Sequence, residues 1–98
     1  MKAIHTPTGH IVEAIQWKGD NFKEFWDFSN GSMKKLKGNT LGIVIKGSLW
    51  PVSIGEYVIR TSDGNTHVHS ARYFEGHYEE KLADNKILQN GTAQGTNQ

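Results

Sequence analysis

Two histidines one residue apart, His67 and His69, follow an Asp63-Gly64 turn signal in the stretch TSDGNTHVHS. Positions i and i+2 of a β-strand face the same way, so the two imidazoles would project side by side, close enough to chelate a metal ion or relay a proton. A zinc centre needs three or four protein ligands. His10, Glu75 and His77 are the third ligands on offer, and none stands at a spacing that forces convergence. Acid–base catalysis needs a nucleophile or a second titrating partner besides. Ser53 and Ser70 are present, but neither sits in a nucleophile-elbow pattern, and KGSLW and SDGNT read as hairpin turns rather than phosphate loops. The expectation is a protein with no catalytic residue, no metal and no cofactor, in which the His-Val-His run is one solvated strand face.

The same residue types suit a different chemistry. Arg60, His67, His69 and Arg72, with Tyr73 nearby, combine a guanidinium fork for phosphate, imidazole donors and a ring on which a base can stack. These five form the candidate ligand-binding set. With Arg60 and His67 both assigned to the solvated face, replacing the pair by alanine should leave folding intact.

The elements that must position this set are mostly strands. Residues 2–6 and 10–17 are β-prone and joined by Thr-Pro-Thr-Gly, a hairpin signal. Asn21 with Glu24 three residues on forms a capping box, Phe22, Phe25 and Trp26 share a helical face, and Asn30-Gly31 closes a helix of about 21–29. Lys34, Lys35 and Lys37 lie in a basic connector of solvated lysines. Residues 41–69 then read as a four-stranded meander with two-residue turns at Gly47-Ser48, Gly55-Glu56 and Asp63-Gly64. Counting outward from those turns gathers Leu41, Ile43, Ile45, Trp50, Val52, Ile54, Tyr57, Ile59 and Val68 on one face. It leaves Val44, Pro51, Ser53, Val58, Arg60, His67 and His69 on the other, with His67 beside Arg60. Pro51 lacks an N–H and wants a sheet edge or a bulge. Ser70 can cap one short helical turn containing Phe74, and Tyr78 and Leu82 have the spacing to pack inward. Residues 84–98, ending in a run of Gly, Asn, Gln and Thr without an apolar anchor, read as a flexible tail beyond a single domain of 1–83.

The fold class expected is α+β: a twisted antiparallel sheet or partial barrel of five or six strands with one helix packed on it. A chain of 98 residues without cysteine has a thin core and no disulfide to reinforce it, so a homodimer or higher oligomer is expected. The net charge of +1 argues against a dedicated nucleic-acid binder. The N-terminal stretch lacks the apolar core of a signal peptide, and no apolar run is long enough for a bilayer, so the expectation is an intracellular protein with no membrane partner.

The stretch VEAIQWKGDN, the helix after it, and IGEYVIRTSDGNTHVHSARYFEGHYEE resemble a family of small uncharacterised phage and prophage proteins. The matching residues are Val12, Ala14, Gln16, Trp17 and Gly19, then Gly55, Glu56, Tyr57, Val58, Ile59 and Gly64, then Phe74 and Tyr78. The resemblance covers roughly residues 10–80. Where members of that family commonly carry an aromatic, a proline and a cysteine after the turn, this chain has His-Val-His, so the histidines belong to this sequence more than to the family. The resemblance implies a phage-encoded protein acting in the host cytoplasm, and it supplies no activity. Small size and absent catalytic motifs then point to an accessory protein that neutralises a host defence protein or sequesters a nucleotide second messenger. The alternative class is a virion accessory or a small regulator of lysogeny, with a metal-dependent enzyme third.

Overall fold

The fold is taken from a computed structural model that describes residues 1–81; Leu82 and the tail expected over 84–98 lie outside the described residues. Ten elements follow one another: β1 (Lys2–His5), β2 (His10–Gln16), α1 (Phe22–Ser29), β3 (Met33–Lys35), β4 (Leu41–Ile45), β5 (Ser48–Val52), β6 (Tyr57–Arg60), β7 (Thr66–His69), α2 (Ala71–His77) and β8 (Tyr78–Glu80). The architecture is α+β, mostly strand, with a helix packed on antiparallel sheets that do not close into a barrel. The described strands form a five-stranded sheet in the order β7-β6-β2-β1-β8 and a three-stranded sheet in the order β3-β4-β5.

The large sheet is covered on both faces, and strand alternation shows how. One face carries Ile15, Val58 and Val68, which pack with Trp17, Phe25 of α1, and Met33, Leu41, Ile43 and Val52 of the small sheet. The opposite face carries Ala3, Val12, Ala14 and Ile59, which pack against Phe74 of α2. On this second face Tyr57, Phe74 and Tyr78 stack in a column, with ring centroids 3.8 and 5.1 Å apart.

The expected meander over 41–69 is therefore corrected. The segment after β5 is not a hairpin: Ser53–Glu56 carries the chain from the small sheet to the large one, where β6 pairs with β2. That crossing is pinned to the end of β2. The Gly55 N–H donates to the Trp17 carbonyl at 2.7 Å, the Trp17 N–H donates to the Glu56 carbonyl at 2.9 Å, and the Ser53 N–H donates to the Glu56 carboxylate at 2.7 Å. Ile54 and Trp50, expected in the core, are consequently 52% and 51% exposed, Ile54 in the crossing and Trp50 on an edge strand. The basic connector also contains a strand, β3, whose Met33 is buried.

Two turns differ from the expected ones, with opposite consequences. The β4–β5 turn is centred on Lys46-Gly47, both at positive φ as a type I′ turn requires. Its register differs from the expected one by two residues, pairing Ile43 with Trp50 and Leu41 with Val52, and side chains keep their faces. The β6–β7 connection is the five-residue loop Thr61–Asn65, held by the Thr61 N–H to the Asn65 carbonyl at 2.8 Å and the Gly64 N–H to the Thr61 carbonyl at 3.0 Å. Here the slip is one residue: Ile59 pairs with His67, Val58 with Val68, and Arg60 with Thr66. A one-residue slip moves a strand's side chains to the other face. His67 and His69 thus share a face with Ile59 and Tyr57, while Arg60 shares the opposite face with Val58, which is fully buried.

Candidate ligand-binding cleft

Strand alternation brings four histidines onto the α2 side of the large sheet. His5 and His10 are cross-strand partners at the end of the β1–β2 hairpin, and His5 also pairs with Tyr78 of β8. His67 and His69 lie on β7 at the far edge of the same sheet. Five flat strands would hold β7 and β8 about 19 Å apart at the usual strand spacing. The His69 and Tyr78 rings are 6.4 Å apart, so the sheet curls toward this side and the long side chains lean inward. The resulting cleft, of about 390 Å³, is lined by His5, His10, His67, His69, Tyr73 and Tyr78, with Thr8, Val12 and Thr61 between them. Its size lies within the range of small-molecule pockets.

Helix α2 forms one wall. It starts directly after β7 with Ser70 as its cap, whose hydroxyl oxygen accepts the Tyr73 N–H at 3.1 Å. Phe74 is buried in the core, and Tyr73 and His77 fall on the flank of the helix facing the cleft rim. Tyr73 stacks between His69, at 4.2 Å, and His77, at 4.1 Å, and His67 lies nearly parallel to His69 at 6.0 Å. All five histidines of the chain therefore gather at one place from β1, β2, β7 and α2.

The electrostatics follow from that list. Burial holds the His69 imidazole below its usual pKa, and the neighbouring His67, His77 and His5 push in the same direction. The His77 Nδ1 lies 2.9 Å from the Tyr73 carbonyl, which only accepts, so Nδ1 is the donor of that bond. Burial raises the Tyr78 phenol, as it does Tyr57, which also feels Glu75 and Glu80. No carboxylate, lysine or arginine among the described residues lines the cleft. Asp63, in the loop beyond His67, accepts from the Thr61 hydroxyl and the Asn65 N–H, which hold its carboxyl below the usual range.

Of the five residues singled out from sequence, His67, His69 and Tyr73 come together here. Arg72 is exposed on α2 and does not line the cleft. Arg60 is on the other face of the sheet. Its Nη1 donates to the Phe28 carbonyl at 2.6 Å and its guanidinium lies over the Phe28 ring at 4.1 Å, so it clasps the end of α1. The placing of His67 beside Arg60 is thereby corrected, the cause being the odd-numbered β6–β7 loop. His5, His10 and Tyr78 are cleft residues that spacing did not reveal, because their convergence depends on the pairing of β1 with β8 across 73 residues or more. Among the described residues no group of three or more histidine and carboxylate side chains is placed to hold a metal ion.

The residues that carry the phage resemblance do other work. Val12, Ala14, Tyr57, Ile59, Phe74 and Tyr78 build the core under α2, and Trp17, buried at 2% exposure, donates its indole N–H to the Asn39 carbonyl at 2.6 Å. No family model, curated protein or solved structure matches the chain. Among the described residues no helix is long and apolar enough to cross a membrane.

Proposed function

We propose that this protein is a non-enzymatic binding module, a phage accessory protein that captures a nucleotide signal of its host stoichiometrically in the imidazole-lined cleft. The observation that carries the reading is the meeting of four imidazoles, His5, His10, His67 and His69, with Tyr73 and Tyr78 at one concave site that no carboxylate lines among the described residues, with His77 stacked on Tyr73 beside it. The exposed His67 ring at the end of the stacked run offers a face on which a base can stack, Tyr73 holding the imidazoles of that run in place, and imidazole N–H groups donate to phosphate oxygens. A non-catalytic role is supported by the engagement of the Ser70 hydroxyl oxygen in capping α2. Host cytoplasm is the compartment this reading requires.

A thermal-shift panel of common nucleotides, cyclic di- and trinucleotides and ADP-ribose isomers tests it. A ligand at a hundred times its Kd adds about 2.7 kcal/mol, which moves the Tm of a domain this small by roughly ten degrees or more. One nucleotide class should produce that shift, and Tyr73→Ala should remove it. A flat panel would overturn the nucleotide reading.

A further inference from the structure

We infer that the cleft takes up protons together with its anionic ligand, so that affinity for a phosphodiester rises as the pH falls through the histidine range. The inference rests on the nucleotide reading above and adds its regulation.

The source of positive charge is decisive. Arg60 is committed to the Phe28 carbonyl on the opposite face, and no Lys or Arg lines the cleft among the described residues. Among the described residues that line the cleft, imidazole is the side chain that can carry cationic charge to a ligand. The imidazoles are also close enough to interact. His67, His69, Tyr73 and His77 form a run of near-parallel rings with spacings of 6.0, 4.2 and 4.1 Å. Around His69 stand His67 on its own strand, Tyr57 across from it on β6, His5 on β1, Tyr78 on β8, and Tyr73 and His77 on α2. Asp63 is the carboxylate whose field His67 shares, and Glu75 and Glu80 act on Tyr57. Burial, and then the imidazoles of His67, His77 and His5, act against a proton on His69.

An anion in the cleft reverses that balance. It supplies the missing counter-charge, while Tyr73, sandwiched between two imidazoles, offers its ring face to an imidazolium on either side. Proton and anion each raise the affinity of the other by the same factor, as linkage demands. With one proton taken up per ligand, affinity changes about tenfold per pH unit over the window in which the imidazoles titrate.

The test uses the full chain and 3′,5′-cyclic AMP, whose phosphodiester keeps a fixed charge across the window, with adenosine as the uncharged control. Calorimetric titrations are run at pH 7.5 and pH 5.5, with circular dichroism at each pH verifying that the chain is folded. The expected result is cyclic AMP affinity about tenfold or more higher at pH 5.5, adenosine affinity changed less than about twofold, and a pH effect reduced in H67Q/H69Q. The exposed single variant H67Q should show an intermediate effect and guards against a double variant that fails to fold. Equal cyclic AMP affinity at the two pH values overturns proton coupling and leaves nucleotide capture standing. Absence of cyclic AMP binding at both pH values overturns the coupling of phosphodiester to proton, while nucleotide capture itself stands or falls with the thermal-shift panel.

Discussion

At the residue scale the contrast between Arg60 and His69 organises the molecule. Both were candidates for one ligand surface, yet one holds a helix and the other lines a cleft. Truncating Arg60 removes a charge-assisted hydrogen bond to the Phe28 carbonyl and a cation–π contact. Arg60→Ala should therefore lower stability by about 1–3 kcal/mol, while the exposed His67→Ala stays within about 0.5 kcal/mol of wild type. Denaturant midpoints of the two single variants decide this, and equal, negligible losses would return Arg60 to a solvated role. His69 makes a pH prediction. Its folded-state pKa is depressed by burial and then by His67, His77 and His5, so the unfolded chain binds the proton more readily. The stability it contributes is present above the unfolded histidine pKa of about 6.5 and is lost as the pH falls toward the lower folded value. His69→Gln should flatten the fall in unfolding midpoint between pH 7.5 and pH 5, and an unchanged slope would assign the acid sensitivity elsewhere.

At the element scale, what was legible in the sequence was local. The helix from Asn21 to Asn30, its Asn30-Gly31 end, the first hairpin and the Ser70 cap all depend on neighbours within a few residues, and all are found. Even there Asn21 uses its side chain differently from a capping box, bonding the Lys18 N–H, the Gln16 carbonyl and Glu24. What was not legible was the parity of a turn. Placing glycine second in Lys46-Gly47 rather than first in Gly47-Ser48 left the faces unchanged, whereas an odd loop at Thr61–Asn65 exchanged them. Apolar residues at Val58 and Ile59 made either face acceptable, because the sheet is covered on both sides. Helix α2 is the element on which the cleft depends. Phe74→Ala should cost about 3–5 kcal/mol and loosen Tyr73 and His77 with it. A loss of this size, with reduced hydrogen-exchange protection of α2, is the expected outcome; a near-neutral Phe74→Ala would show that α2 is held by other contacts.

At the scale of the whole molecule, two sheets and two helices enclose separate cores on either side of β2 and β6, and the edges are left to manage themselves. Pro51 shows one device. The Val44 N–H turns toward β3, reaching the Ser32 carbonyl at 2.9 Å, and by alternation so does that of Gly42. Pro51 faces Gly42 across a pair without ladder bonds, so its missing N–H is on the open edge of β5. Sequence placed this proline at an edge or bulge, and the edge is where it lies. Pro51→Thr supplies an outward N–H beside the exposed Leu49 and Trp50, and should increase self-association in light scattering. No change in particle size would mean that the β5 edge is protected by other means.

The convergence of histidines from both ends of the chain is a property of the whole molecule as well, and it bears the functional claim. Side-chain NMR of the histidine, tyrosine and phenylalanine rings and of the arginine guanidinium groups, followed as the nucleotide giving the largest thermal shift is added, tests that claim most directly. The account predicts that His5, His67, His69, Tyr73 and Tyr78 move together at one saturating concentration while Arg60 and Phe28 stay still. Movement centred on Arg60, or silence at all five rings while the ligand binds, would contradict it.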